Sequence, residues 1–176
     1  MKKLRITEMN RLTPDEFKET EKLPLIVVLD NVRSLHNVGS VFRTGDAFVI
    51  EAVYLCGITS TPPHAEIHKT ALGAEDTVNW TYFDDTHKAI HQLQAAGYTV
   101  YAIEQVQGST MLPALQLDKN KKYAVVLGNE VKGVQQSVVD ICQGCIEIPQ
   151  YGTKHSLNVS VTGGIIIWEF FRKLQE

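Results

Sequence analysis

The chain has 176 residues, 44% hydrophobic and 21% charged, which suits one folded domain with a proper core and argues against disorder. Its net charge of −3 excludes a protein that binds nucleic acid through bulk positive charge. A local basic face stays open, with candidates Lys2, Lys3, Arg5, Arg11, Arg33, Arg43, Lys69 and Lys154. Because no apolar stretch could span a bilayer and no signal peptide follows Met1, we expect no membrane partner and a cytoplasmic location.

Predicted strands and helices alternate along the chain. Thr13-Pro14-Asp15-Glu16 has the pattern of a capping box and predicts a short helix to about residue 21. The predicted strands are 25–29, 52–56, 78–83, 98–103, 123–127 and 145–148, and the further helices are 38–48, 85–96, 135–142 and a terminal helix with Ser156 as its N-cap. Residues 57–76 are expected to be a loop rich in Thr, Pro and Gly. The alternation predicts an α/β fold: a single domain with a largely parallel sheet flanked by helices.

In such sheets ligands bind beyond the carboxyl ends of the strands, so the loops after Leu29, Ile103, Leu127 and Ile148 are the informative ones. In the first of these loops, Asn37 stands where a helix N-cap belongs and Arg43 falls within the helix that follows. A guanidinium near a strand end offers a fork for phosphate. For this loop taken alone, however, a helix cap at Asn37 and a solvated surface charge at Arg43 are the better explanation.

The other loops carry glycine and polar side chains. Gly128 directly after a buried strand permits a sharp turn and the approach of a ligand, but neither GxGxxG nor a P-loop motif is present. Ser156 is not a hydrolase nucleophile, because no GxSxG elbow surrounds it. The pair Gly163-Gly164 inside the terminal helix suggests that a backbone or a flat ligand approaches there. The loop after Ile103 is the least specific and could wall a pocket through its backbone.

Metal binding has little support in the sequence. The pairs His64/His68 and His87/His91 have i,i+4 spacing, but neither has an evident third ligand. Cys142-x-x-Cys145 lies at the edge of a predicted buried strand without a second Cys or His pair. We therefore interpret these cysteines as small core residues in a reducing compartment and expect no metal.

Taken together, three loops resemble the signature motifs of the SpoU-type (TrmH-like) RNA 2′-O-ribose methyltransferases of the SPOUT superfamily. The matching segments are Asn37-Val-Gly-Ser-Val-Phe-Arg43-Thr44, Leu127-Gly-Asn-Glu130-x-x-Gly133, and Ile148-Pro149 with Ser156-Leu-Asn158-Val-Ser-Val161. The resemblance implies a SPOUT α/β knot, whose C-terminal segment passes through a loop as a trefoil knot. It also implies a methyltransferase domain at 23–176, preceded by an N-terminal helical extension at 1–22.

The resemblance further implies a cofactor, partners and residue roles. The cofactor would be S-adenosyl-L-methionine, the substrate tRNA or rRNA, and the assembly a homodimer through the terminal helix, with no metal. By position, the cofactor would contact Gly128, Ile148, Leu157, Ile103 and Glu104. Arg43 would activate the ribose hydroxyl together with an RNA phosphate, because a guanidinium stays protonated and is a weak base. The residues that would hold Arg43, the ribose and the loops in place are Asn37, Glu130, Ser156 and Asn158.

This sequence departs from the family pattern at several positions. Val131 stands where glycine is common, Leu35 replaces a frequent proline, and Gln150-Tyr151 replaces a segment that usually contains methionine. The leading hypothesis is an S-adenosylmethionine-dependent enzyme that methylates a ribose 2′-hydroxyl in tRNA or rRNA. The alternative is a non-catalytic RNA-binding module on the same fold, which the acidic net charge and Val131 favour slightly and the intact candidate catalytic residues oppose.

Overall fold

A parallel sheet organises the computed structural model, which describes residues 1–175. Within these residues the strands are β1 (Leu23–Asp30), β2 (Ile50–Cys56), β3 (Trp80–Phe83), β4 (Tyr98–Ile103), β5 (Thr110–Met111), β6 (Lys122–Leu127) and β7 (Gly144–Glu147). The helices are α1 (Pro14–Glu19), α2 (Leu35–Ala47), α3 (Ala65–Ala71), α4 (Ala74–Thr77), α5 (Thr86–Ala95), α6 (Gln136–Val139) and α7 (Val159–Gln175). Two single-turn 3-10 helices span Ile6–Glu8 and Leu112–Ala114. The predicted α/β class is therefore confirmed.

The strand order is β3-β2-β1-β6-β4-β7-β5, and every neighbouring pair is parallel. All strands therefore end at one edge of the sheet. Because β6, β4 and β7 are adjacent, the loops that follow them come together at that edge. The loop after β1 joins them from the other side of β6.

The continuous apolar sequence of β1 follows from burial on both faces of the sheet. Leu25, Val27 and Leu29 pack into one core cluster with residues of α1 to α4 and α7. Ile26 and Val28 belong to a second cluster with residues of α5 and α6. The sheet is thus the middle of three layers, and the site elements α2 and α7 cover the same face.

The segment from residue 57 to residue 76 is not the loop that its composition predicts, because it contains α3 and the first three residues of α4. His64 caps α3 by accepting a hydrogen bond from the Glu66 N–H at 3.1 Å. Only Ile67 and Ala71 of this seven-residue helix are buried, so its sequence shows too few apolar repeats for a helical period to emerge. The predicted helix at 135–142 is likewise wrong in length, since α6 covers only Gln136–Val139.

The apolar run Ile165 to Trp168 predicts that the terminal helix is buried on most sides, but α7 has a buried face and an exposed apolar face. Val161, Ile165 and Trp168 are 36–50% exposed. A Cβ at Gly163 would lie 3.2 Å from Leu127 Cδ1 of β6, while nothing lies within 4 Å of one at Gly164. Within the chain, the close approach at Gly163 is therefore to a core side chain, and the approach of a backbone or flat ligand at Gly164 stays a prediction. Within residues 1–175, no helix is long and apolar enough to cross a bilayer.

Replacing Gly39 by alanine tests the contact between α2 and α3. A Cβ at Gly39 would collide with the Ile67 carbonyl oxygen and the Thr70 hydroxyl, so the two helices would have to separate. We expect Gly39→Ala to lower the free energy of unfolding by about 1–3 kcal/mol, as measured by urea denaturation. Gly152→Ala is the matched control, because nothing lies within 4 Å of a Cβ there. Equal stability of the two variants would contradict this packing.

Candidate functional site

A cavity of about 410 Å³ opens at the carboxyl ends of β4, β6 and β7. Its walls come from residues 103–106, 127–134, 146–148, 150 and 155–157, together with Gln136 and Val139 of α6 and Val159 and Thr162 of α7. The volume lies within the roughly 300–1,000 Å³ that is usual for small-molecule sites. The five residues that the family resemblance assigned to the cofactor all line this one cavity: Ile103, Glu104, Gly128, Ile148 and Leu157.

The loop from Gly128 to Gly133 forms a closed turn over the end of β6. Asn129 and Gly133 exchange both backbone hydrogen bonds, with N–O distances of 3.1 and 2.9 Å. A Cβ at Gly128 would collide with the backbone of Gly133 and Val134, so only glycine allows the loop to fold back. Gly133 takes the positive φ of this loop, +66°, and Val131 does not have a positive φ. The valine at position 131 is therefore accommodated without backbone strain.

Glu104 and Gln105, which follow β4, tie two of these loops together. Glu104 Oε2 accepts a hydrogen bond from the Val134 N–H at 3.0 Å, directly after the Gly128–Gly133 turn. Gln105 Nε2 donates to the carbonyl oxygen of His155 at 2.7 Å. The sequence predicts that this loop only walls a pocket through its backbone. In the structure its side chains also hold the neighbouring loops. Side-chain hydrogen bonds over such sequence distances leave no local pattern, so the sequence gives no signal for the role of Gln105.

The Glu130 carboxylate joins the same turn to the start of α2. It accepts hydrogen bonds from the N–H groups of Arg33 at 3.0 Å and Ser34 at 2.9 Å, and from Asn37 Nδ2 at 3.0 Å. Burial by itself raises the pKa of Glu130, but the hydrogen bonds from Arg33, Ser34 and Asn37 outweigh it, and the pKa lies below its usual value. The charged carboxylate is thus the form that holds the two segments together.

Asn37 and Asn158 extend this contact to the terminal helix. Asn158 Nδ2 donates to Asn37 Oδ1 at 3.2 Å. The prediction that Asn37 caps α2 is wrong, because Ser34 is the N-cap and Asn37 lies in the first turn with its side chain directed to Glu130 and Asn158. Serine is a preferred N-cap residue, so Ser34 was the signal in the sequence for the true cap.

Ser156 lies in the cavity wall, but the prediction that it caps the terminal helix is also wrong. The helix begins at Val159, and Asn158 Oδ1 accepts hydrogen bonds from the N–H groups of Ser160 at 2.9 Å and Val161 at 3.3 Å. Asn158 therefore caps α7 with its oxygen while its amide nitrogen binds Asn37. This leaves the Ser156 hydroxyl exposed at the mouth of the cavity.

Arg43 stands apart from the cavity. It is exposed on α2, six residues beyond Asn37 and thus about 9 Å further along the helix axis. Its guanidinium makes no hydrogen bond or ion pair with any residue from 1 to 175, and it does not line the cavity of its own chain. The structure therefore brings together all the candidate site residues except Arg43, which is linked to them through α2.

The histidines and cysteines take structural positions. His68 pairs with Glu75 at 2.6 Å, and His87 pairs with Asp85 at 2.8 Å. Burial raises the pKa of the Cys142 thiol to about 12, as expected for a core residue. In the part of the chain that the structure describes, no three His, Cys, Asp or Glu residues are placed to hold a metal ion.

An open parallel sheet with a cavity at the carboxyl ends of its strands defines an α/β protein that binds a small molecule at loops. This chain belongs to the SpoU rRNA Methylase family, whose model matches residues 24–168.

Several proteins of known name are similar to the chain. It is 30% identical over 166 residues to the 23S rRNA (guanosine-2′-O-)-methyltransferase RlmB of Vibrio vulnificus, an alignment that covers 94% of this chain and 66% of that protein. The crystal structure of the A. aeolicus TrmH/SpoU tRNA modifying enzyme matches with a TM-score of 0.78 and 29% identity, covering 90% of this chain and 79% of the other. The crystal structure of the AdoMet-bound rRNA methyltransferase from Sinorhizobium meliloti matches with a TM-score of 0.78 and 28% identity, and the match covers 88% of this chain and 61% of the other. The chain thus spans just under two thirds of the length of the curated relatives it matches, 62% and 66% in two cases.

The pH dependence of stability tests the Glu130 contact. Since the pKa of Glu130 is depressed on folding, its contribution is present above the ordinary value of 4.5 and is lost as the pH falls through the folded pKa. We expect Glu130→Gln to be less stable than the wild type at pH 7 and the difference to shrink below about pH 4.5, as measured by urea denaturation.

Glu21→Gln is the control for this experiment, because Glu21 is exposed and makes no hydrogen bond or ion pair within residues 1–175. Its effect should stay within about 0.5 kcal/mol at both pH values. A Glu130→Gln deficit that does not change with pH would show that the charged carboxylate is not what joins the loops.

Proposed function

We propose that this protein is an S-adenosylmethionine-dependent RNA methyltransferase that methylates a ribose 2′-hydroxyl in tRNA or rRNA. The observation that carries the proposal is that the second and third motif segments, residues 127–133 and 148–161, contribute residues to the wall of one cavity. Glu130, in the wall of that cavity, also holds the helix that bears Arg43. Among the similar proteins, one is named a 23S rRNA 2′-O-methyltransferase and another a tRNA modifying enzyme, which supports both classes of RNA.

The cavity is suited to S-adenosylmethionine, which supplies an activated methyl group when bound. Ile148 and Leu157 offer apolar surface for a flat base, and Leu157 is 37% exposed. The missing side chain at Gly128 keeps the turn of residues 128–133 folded back, so its backbone groups can face a ligand. Apolar walls with a few convergent polar groups are typical of cofactor sites.

The task left to the protein is to orient the ribose and assist the loss of its proton. The Arg43 guanidinium offers five N–H donors in a planar fork, which fits a phosphate group. We infer that Arg43 binds an RNA phosphate, and that this phosphate accepts the proton of the 2′-hydroxyl. Glu130, Asn37 and Asn158 keep α2 in register with the cofactor loops, and Ser156 contacts the ribose at the mouth of the cavity.

We further propose that the active unit is a homodimer. Val161, Ile165 and Trp168 form an exposed apolar strip on α7. The ring centroid of Trp168 lies 5.7 Å from that of Phe48 and 6.0 Å from that of Phe171. Contiguous apolar surface of this kind is typical of interfaces. Because Arg43 does not line the cavity of its own chain, a second copy offers a route by which it can reach a cavity.

The remaining expectations follow the family. We propose a trefoil knot in the C-terminal segment, a division into a helical extension (1–22) and a methyltransferase domain (23–176), and a cytoplasmic location without a metal requirement. The free thiols of Cys56, Cys142 and Cys145 are compatible with a reducing compartment.

The separation of Arg43 from the cavity favours one alternative, an RNA-binding module that does not methylate. Incubation with methyl-labelled S-adenosylmethionine and total bacterial RNA separates the two. Label on a ribose 2′-oxygen, located by mass spectrometry of nucleosides, is the result expected of the enzyme. RNA binding without any transfer of label would instead support the alternative.

Arg43→Ala should lower the rate of methyl transfer by about 10²–10⁴-fold, because assistance to proton loss contributes on that order. The affinity for S-adenosylmethionine, measured by calorimetry, should stay nearly unchanged, since Arg43 does not line the cavity. Arg43→Lys should restore only part of the rate, because lysine keeps the charge but lacks the fork. Equal loss of transfer and cofactor affinity would mean that Arg43 is structural.

Leu157→Asp should abolish detectable S-adenosylmethionine binding in calorimetry, because it places a charge in an apolar part of the cavity wall. Leu157→Met is the matched control and should bind within a few-fold of the wild type, since the side-chain volume is conserved. Unchanged binding by Leu157→Asp would place the cofactor elsewhere.

A further inference from the structure

A second cavity, of about 470 Å³, lies at the carboxyl end of β1. Asn129, Val131, Lys132 and Gly133 line both this cavity and the first, so the turn of residues 128–133 is their common wall. The opposite side of the second cavity includes Arg33, whose N–H binds Glu130. A polymer that occupies the second cavity would therefore pass beside the first cavity.

The charged side chains of the second cavity that have no partner among residues 1–175 are both cations. Arg33 and Lys132 are exposed, and their side chains make no hydrogen bond or ion pair with the residues described, 1–175. The carboxylate that lines this cavity, Asp30, is fully buried and accepts hydrogen bonds from the Thr86 hydroxyl at 2.6 Å and from Asn31 Nδ2 at 2.8 Å. Two cations are thus available at this cavity in a chain whose net charge is −3.

Two apolar side chains lie in the same cavity wall. Ile58 is 64% exposed and Val131 is 78% exposed. Arg33 and Lys132 can bind phosphate, while Ile58 and Val131 offer surface against which the face of a base can pack. A nucleotide within an RNA strand has both a phosphate and a base, whereas inorganic phosphate has no base.

We propose that the second cavity binds a nucleotide of the RNA strand next to the nucleotide that is methylated. Arg33 and Lys132 bind its phosphate, and Ile58 and Val131 contact its base. The proposal rests on the proposed function and adds the position of the flanking RNA: it runs across the turn of residues 128–133, from one cavity to the other. It also assigns a role in RNA selection to Val131.

The test compares two variants that each lose two exposed cations. Arg33→Gln/Lys132→Gln removes the charges of the cavity but keeps both backbone N–H groups, so the bonds to Glu130 and Asn129 remain. Lys119→Gln/Lys121→Gln is the matched control, because these exposed lysines precede β6 at the opposite edge of the sheet. The probes are fluorophore-labelled total bacterial tRNA and total bacterial rRNA, with binding measured by fluorescence polarisation between about 50 and 200 mM salt.

We expect the cavity variant to bind RNA about tenfold more weakly than the wild type, with the slope of log K against log salt reduced by about 1 per cation removed. The control should stay within about twofold of the wild type. Calorimetry with S-adenosylmethionine is run on each variant, because Lys132 also lines the first cavity, and a loss of cofactor affinity as large as the loss of RNA affinity would overturn the proposal. Val131→Ser should weaken RNA binding several-fold without changing the salt slope, because it removes apolar contact and no charge.

Equal RNA affinity of the cavity variant and the control would overturn the proposal, as would a wild-type protein that binds neither RNA pool. Competition by free AMP at the affinity of RNA would also overturn it, because the cavity would then be a mononucleotide site. Methyl transfer by the wild type is assayed separately and tests the proposed function. If the wild type transfers methyl groups but the cavity variant binds RNA normally, only the proposed nucleotide site is overturned.

Discussion

The whole site depends on one carboxylate that joins segments almost a hundred residues apart. Glu130 accepts hydrogen bonds from the N–H groups of Arg33 and Ser34 and from the amide of Asn37, and Asn37 in turn binds Asn158. The turn after β6, the start of α2 and the cap of α7 are thereby fixed to one another. Because charge-assisted hydrogen bonds to backbone N–H groups are strong and directional, this contact sets where α2 begins and where it points.

A second set of contacts shapes the cavity from the other side. Glu104 holds the end of the Gly128–Gly133 turn, and Gln105 holds the backbone of His155. Side-chain hydrogen bonds thus join the loops after β4, β6 and β7 around the cavity. Preorganisation of this kind places a ligand with little further ordering of the protein, and it frees the outer face of the turn to contact a second ligand.

Local patterns in the sequence predicted most of the scaffold, and the resemblance to the family supplied the residues of the cavity wall. The apolar run of β1, the capping box of α1 and the glycine after β6 all act within a few residues. The long-range contacts were not predictable in this way. Asn37 has the residue type of a helix cap, yet its partners come from α7 and from the turn after β6, and only the fold shows which contact prevails. The short helix α3 was missed for another reason, because only two of its seven residues are buried and no helical period emerges in its sequence.

The crystal structure of this protein with S-adenosylhomocysteine is the most direct measurement of the central claim. We expect the nucleoside to lie between the loops after β4, β6 and β7, with its base against Leu157 and beside the Gly128 backbone, and the Glu130 contacts to α2 unchanged. A ligand bound at any other part of the chain, or a Glu130 side chain released from Arg33 and Ser34 in the complex, would contradict the assignment.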